Sequence, residues 1–451
     1  MLENYSPEIR KALAAHKIAA GDRISVERDG KRYEGLLMPK SAGDPNVIVL
    51  KLDSGYNAGV SFAGAKIEKI KGKDEKAKKA ILGKYKPDTG KPTIVLLHTG
   101  GTIASKVDYR TGAAYPAFTP EELFFAVPEL QEIANFSTRV IFQMYSEDME
   151  PEHWIVLAEK IAQEIQEANP DGVIITHGTD TMAYTAAALS LMLQHLPIPV
   201  LLVGAQRSSD RGSSDAAMNL RCAAQFIAQT DSAGVALCMH GSMDDEYCFV
   251  LPGLHVKKMH TSRRDAFRSI DVLPYAKVHL DGEIEMLRSD YPKKDKAKKL
   301  HVVNRFDKRV AIVKIRPGIN AKELEAYEQL GYRGLVLEGT GLGNAPVTVL
   351  DQHTAHHKEL LTVLERMTKR GIIVAMTSQC AYGTVNMNVY SPGRDLLKAG
   401  VIPLAMTSEA AFIKLGWALG HTKDSEEAKK ILLENVAGEF TERVDPRAFL
   451  Y

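Results

Sequence analysis

The rhythm of hydrophobic and polar positions changes twice along the chain. Up to about Ile70 the runs are short. Arg23-Ile24-Ser25-Val26-Glu27 alternates, Asp29-Gly30 interrupts it, and Tyr33 to Met38 resumes the pattern, followed by Asn46–Leu50 and Gly59–Phe62. Alternation punctuated by turn residues predicts short antiparallel strands, and a small β-barrel domain over 1–70 fits best. Lys66 to Lys91 is rich in lysine and leads into the Gly90-Lys91-Pro92 turn. It reads as a tether, with a linker over 71–92.

From residue 93 the apolar runs become continuous. Thr93–Leu97, Val173–Ile175, Val200–Val203 and Val235–Cys238 predict buried strands. Trp154, Leu157, Ile161 and Ile165 fall at helical spacing, and a second helix is expected over Met182–Leu193. A similar alternation follows, with strands at Val310–Ile315, Gly334–Leu337 and Ile372–Met376. Helices are expected at Ala321–Leu330, His357–Arg370 and Glu409–Leu419. Apolar strands interleaved with helices predict parallel sheets. The fold class is therefore α/β: an N-terminal β-barrel, then two α/β domains over 93–292 and 310–451, joined by a linker at 293–309.

Composition narrows the function classes. Hydrophobic residues make up 45% of the 451, charged residues 25%, and the net charge is +1. No apolar run reaches membrane-spanning length and Met1 leads into a polar segment, so a cytoplasmic location without membrane association is expected. The basic stretches at 66–91 and 293–309 read as solvated linkers rather than RNA contacts. Cys222, Cys238, Cys248 and Cys380 form no CxxC pair, which predicts buried free thiols and a reducing compartment. No metal site is expected: the adjacent His356 and His357 would face different sides of a helix.

Two motifs end strands of the second region: His98-Thr99-Gly100-Gly101-Thr102-Ile103-Ala104 and Thr176-His177-Gly178-Thr179-Asp180-Thr181. Ligands collect beyond the carboxyl ends of parallel strands, and glycines there let hydroxyl side chains approach closely. Neither motif has the spacing of a phosphate-binding loop, and no G-x-S-x-G elbow is present. Singly, Thr102 and Asp180 could be helix caps. Together the two motifs bring glycine-flanked hydroxyls from two strand ends to one edge of the sheet.

These motifs resemble the L-asparaginase/glutaminase family over roughly 93–435, joined by Gly204-Ala205-Gln206-Arg207, Lys258-Met259-His260-Thr261-Ser262 and Glu409-Ala410-Ala411. The resemblance implies Thr102 as nucleophile, with Thr179, Asp180 and Lys258 as its catalytic partners; the neighbouring Lys257 leaves the lysine open by one position. It implies Tyr115 as the loop tyrosine that excludes water or assists Thr102. Ser146 would bind substrate, with Glu147 where the family usually has glutamine. Gly101 and Gly178 become candidate N–H donors for the oxyanion.

The N-terminal region, the tether, Ser146-Glu147-Asp148-Met149 and Thr261–Ser269 resemble a narrower group, the D subunits of archaeal glutamyl-tRNA(Gln) amidotransferases. That resemblance implies a glutaminase supplying ammonia to a partner E subunit, which converts Glu-tRNA(Gln) to Gln-tRNA(Gln). This chain would bind no cofactor; ATP and Mg would belong to the partner, and tRNA would be engaged through the complex. A homodimer within a heterotetramer is expected. A free-standing L-asparaginase with an accessory N-terminal domain is the alternative, and a catalytically dead binding module a third.

Overall fold

In the computed structural model, residues 2, 4–38, 44–52, 57–70, 88–101, 105–107, 114–116, 127, 129–207 and 214–449 are described. The N-terminal alternation becomes five antiparallel strands. Their order is Asn57–Ser61, Val47–Lys51, Lys31–Leu37, Arg23–Arg28, Lys66–Lys69. Asp29 and Gly30, at φ 48° and 72°, turn the first hairpin, so that Arg28 faces Lys31. Ile24, Val26, Leu37, Ile48, Leu50 and Ile67 point inward against Ile9 and Leu13 of the helix Pro7–Ala15. The fifth strand lies where the lysine-rich stretch begins; Ile67 is buried there while Lys66, Glu68 and Lys69 stay outside. No ladder joins the two end strands among the described residues, and most of the expected tether, 71–87, lies outside them.

The second region builds an eight-stranded sheet. Its order is Ile284–Met286, Ala276–His279, Tyr247–Pro252, Gly234–His240, Pro199–Val203, Gly172–Thr176, Thr93–Gly100, Asn135–Met144. The last five strands of that order are parallel. The first three run antiparallel, so the sheet is mixed rather than parallel throughout. Successive residues serve opposite faces. Val95, Leu97, Val173 and Ile175 pack with the helices Pro151–Ala168 and Met182–Met192. Ile94, Leu96, Ile174 and Leu201 pack with Ala216–Gln229.

The third region carries four parallel strands, Val310–Lys314, Gly334–Gly339, Ile373–Ser378 and Ile402–Pro403. Its helix Ser408–His421 packs with Met182–Met192 inside the core that both lobes share. That helix buries Lys414, which pairs with Glu439; both side chains are 0% exposed.

The stretch 293–309, expected to be a solvated linker, is instead docked. Lys294 Nζ donates to the carbonyls of Ile227 and Thr230 at 2.6 and 2.9 Å, closing the end of the Ala216–Gln229 helix. His301–Val302 pairs with Leu193–Gln194. Phe306 meets Trp154 edge-on at 5.5 Å, and Trp417 Nε1 donates to Val303 O at 2.7 Å. Cys222, Cys238 and Cys248 are buried and Cys380 is exposed. Among the described residues no helix is long and apolar enough to cross a membrane.

Candidate active site

Thr93–Gly100, Asn135–Met144 and Gly172–Thr176 are neighbours in the sheet and release their chains at the same edge. Glycines let the exits converge. Gly101 has φ +79°, and a methyl group there would lie 2.3 Å from Gly178 N; one on Gly178 would lie 2.6 Å from Ser146 Cβ. The three segments singled out in the sequence are thus pressed together at positions where only glycine fits. Ser146 Oγ accepts from Asp180 N at 3.2 Å, and Thr181 donates to Ser146 O at 2.6 Å.

Buried side chains hold the exits from beneath. Thr99 Oγ1 donates to Thr176 O at 2.9 Å, and Thr176 Oγ1 meets His98 Nδ1 at 2.8 Å. Trp154 Nε1 donates to Thr185 Oγ1 at 3.1 Å; the latter lies 2.9 Å from His177 Nε2, whose Nδ1 lies 2.7 Å from Gly178 O. Burial pushes the His177 imidazole down to about 4. A neutral ring accepting from Thr185 and donating to Gly178 O satisfies every partner. His177 is therefore a pillar under the Gly178 turn.

Lys258 reaches this edge from the short strand Val256–Lys258. Its Nζ donates to Thr179 Oγ1 at 2.8 Å and to Asp180 Oδ1 at 2.7 Å. Lys257, on the opposite face of the strand, pairs with Glu409 of the other lobe. Between the two lysines left open by the sequence, Lys258 is the one at the Thr179–Asp180 edge. Thr179 is 6% exposed, whereas the Asp180 side chain is 65% exposed: the hydroxyl is set into the protein while the carboxylate faces outward.

The remaining expected residues divide. Thr102 lies outside the described residues, next to Gly101. Tyr115 is in the strand Ala114–Pro116, paired with Lys106, and its side chain lies outside the described residues. Ser146 is 4% exposed and braces the Asp180 turn, while Glu147 is exposed. The Gly101 amide, expected as an oxyanion donor, instead donates to Met144 O at 3.2 Å. Continuing the strand ladder one residue past the bulge uses that N–H. The Gly178 amide has no partner among the described residues.

Sequence reasoning missed Asp215. Fully buried, its carboxylate accepts from the amides of Gln206 and Arg207 at 3.0 to 3.1 Å and from Asn219 Nδ2 at 3.2 Å. It fixes the chain leaving Pro199–Val203. Its position just before the Ala216–Gln229 helix was the available signal, hidden in a stretch that reads as a serine-rich loop.

Comparison with known proteins agrees with this geometry. Residues 93–291 match the model of the asparaginase N-terminal domain, 309–432 the glutaminase/asparaginase C-terminal domain, and 18–70 the GatD N-terminal domain. The D subunit of glutamyl-tRNA(Gln) amidotransferase from Pyrococcus furiosus is 50% identical, covering 98% of this chain and 99% of its own. Its counterpart from Sulfurisphaera tokodaii is 43% identical over 100% and 98%. Among solved structures, the thermostable L-asparaginase of Thermococcus kodakarensis superposes with a TM-score of 0.66 at 34% identity, covering 77% of this chain and 99% of that one. L-asparaginase I of Vibrio cholerae gives 0.66 at 29% identity, over 78% and 99%. The chain belongs to the family of glutamyl-tRNA(Gln) amidotransferase D subunits, amidohydrolases of the asparaginase fold with an additional N-terminal domain.

Proposed function

We propose that the chain hydrolyses glutamine through a threonine acyl-enzyme and supplies the ammonia to a partner E subunit, which amidates the glutamate of Glu-tRNA(Gln). The observation that carries this reading is Lys258 Nζ, at 2.8 Å from Thr179 Oγ1 and 2.7 Å from Asp180 Oδ1, beside the turn that touches Gly101. A relay of amine, hydroxyl and carboxylate has the chemistry to accept and return a proton.

In this mechanism Thr102 Oγ attacks the side-chain carboxamide carbon and its proton passes to the relay. The tetrahedral oxyanion is met by backbone N–H donors, with the Gly178 amide as the remaining candidate. The C–N bond breaks as the relay returns a proton to the departing nitrogen, leaving an ester on Thr102. Water then cleaves the ester and releases glutamate. Tyr115 excludes water or assists Thr102, and Ser146 with Glu147 receives the amino-acid end of the substrate. ATP and Mg act at the partner, tRNA is held by the complex, and two copies of this chain pair within a heterotetramer in the cytoplasm. Domain limits of 1–70, 93–292 and 310–451 follow the same reading. Ammonia at neutral pH is mostly ammonium, which is not a nucleophile, so delivery inside a complex has a chemical purpose.

The test is glutamine hydrolysis by the full chain, with and without the E subunit and charged tRNA, beside Thr102→Ala. Turnover that depends on the partner and vanishes in the variant is expected. Turnover persisting in Thr102→Ala removes the nucleophile. The similarity to L-asparaginases favours a second reading, a free-standing asparaginase; faster asparagine than glutamine hydrolysis by the isolated chain would select it.

A further inference from the structure

We propose that the ion pair between Lys257 and Glu409 positions Lys258, so that the C-terminal lobe sets the place of the amine at Thr179 and Asp180. This deepens the active-site reading above and rests on it. Among the described residues, Val256–Lys258 pairs only with Phe267–Ser269, in a two-stranded ladder. Adjacent residues of a strand point to opposite faces. One face of this narrow arm sends Lys258 to the relay; the other sends Lys257 to Glu409.

Glu409 is a firm anchor. It lies in the first turn of the helix Ser408–His421, whose start is capped by Thr407 Oγ1 accepting from Ala410 N at 3.2 Å. Ala410, Ala411, Ile413 and Leu415 of that helix are buried in the core shared by the lobes. The side chains of Lys257 and Glu409 are 29% and 15% exposed, so the pair is less screened by water than a surface pair. Glu409 Oε2 is buried and has no hydrogen-bond partner among the described residues. Phe412 of the same helix meets Tyr184 edge-on at 6.0 Å, on the helix that begins two residues after Asp180. The helix carrying Glu409 thus packs against the helix that follows the relay partners of Lys258. A lysine has four rotatable bonds, and catalytic groups must be held to within roughly 0.5 Å. Fixing the backbone of Lys258 through its neighbour meets that need.

The experiment compares Lys257→Met, Lys257→Arg, Glu409→Gln, the exchange of Lys257→Glu with Glu409→Lys, and Lys258→Met, all in the full chain assembled with the E subunit and charged tRNA. Glutamine hydrolysis is followed as kcat, KM and the pH–rate profile, with thermal melts to confirm folding. Lys257→Met and Glu409→Gln are expected to lower kcat roughly 10- to 100-fold. KM should stay within about twofold and the pH–rate profile should change, which loss of stability alone would not cause. Lys257→Arg and the charge exchange should recover most of kcat. Parental kcat and pH profile in folded Lys257→Met and Glu409→Gln, with Lys258→Met inactive, overturns the positioning role alone. Should either single variant fail to fold, Lys257→Arg and the exchange decide, since loss of kcat in both would contradict the pairing. Turnover in Lys258→Met within about tenfold of the parent defeats the underlying active-site reading instead.

Discussion

Gly101 and Gly178 meet backbone to backbone, so closely that a methyl group on the first would sit 2.3 Å from the amide nitrogen of the second. Gly101→Ala therefore forces a steric conflict with main chain at a positive φ of 79°. It is expected to cost about 3 kcal/mol and to abolish turnover. Gly30→Ala, at φ +72° with nothing within 4 Å, should cost only about 1 kcal/mol, the backbone component alone. Denaturant unfolding of the two variants checks the contrast.

Lys258→Met removes the donor to both Thr179 and Asp180 while keeping most of the side-chain volume. Glutamine hydrolysis is expected to fall by roughly 10²- to 10⁴-fold, the range for a lost acid–base group. The melting temperature should stay near that of the parent, because the Asp180 side chain left unpaired is 65% exposed. Steady-state kinetics and a thermal melt on the same preparation test both halves.

His177 gives the fold a dependence on acid. Burial lowers its protonation to about 4 from an ordinary 6.5. Between those values the unfolded chain takes up a proton that the native protein refuses, so stability is complete above 6.5 and declines as pH falls towards 4. The loss from this residue reaches about 3 kcal/mol. His240, pushed down to about 3 by burial and by Arg264, acts in the same direction. Unfolding midpoints from pH 7 to 4 should decline, and less steeply in His177→Gln.

Lys414 and Glu439 pair with both side chains fully buried, and Glu439 also accepts from the amides of Val436 and Ala437 at 3.1 and 2.7 Å. Removing one partner strands the other charge. Lys414→Met is expected to cost about 3–5 kcal/mol. Lys414→Met combined with Glu439→Leu should recover part of that loss, though the two amides then go unsatisfied. Chemical denaturation of the single and double variants measures the difference.

Most of the parallel strands were legible as short apolar runs, several of them buried on both faces, as Val173-Ile174-Ile175 is; Ile402–Pro403, two partly exposed residues, was not. The long strand Asn135–Met144 was not: it lies at the sheet edge, half exposed, and its polar residues mask the alternation. The helix Ala216–Gln229 was passed over although Arg221, Gln225 and Gln229 recur at helical spacing, because its start lies in a serine-rich stretch that reads as a loop. Lys66–Lys69 was hidden by its lysines, since a single inward Ile67 is all that its strand contributes to the core. Within the site, Thr179, Asp180 and Lys258 came from motif and resemblance, and geometry chose Lys258 over Lys257. Pillars such as His177–Thr185–Trp154 and Asp215–Asn219 depend on contacts between distant segments, which local pattern does not encode.

The helices Met182–Met192 and Ser408–His421 share one core. Cutting the chain between the lobes would leave each half with an apolar wall built to face protein, so separately produced halves should aggregate rather than behave as independent modules. Rotating one lobe away from the other would wet the interior of the molecule, so the two lobes are expected to move as one body.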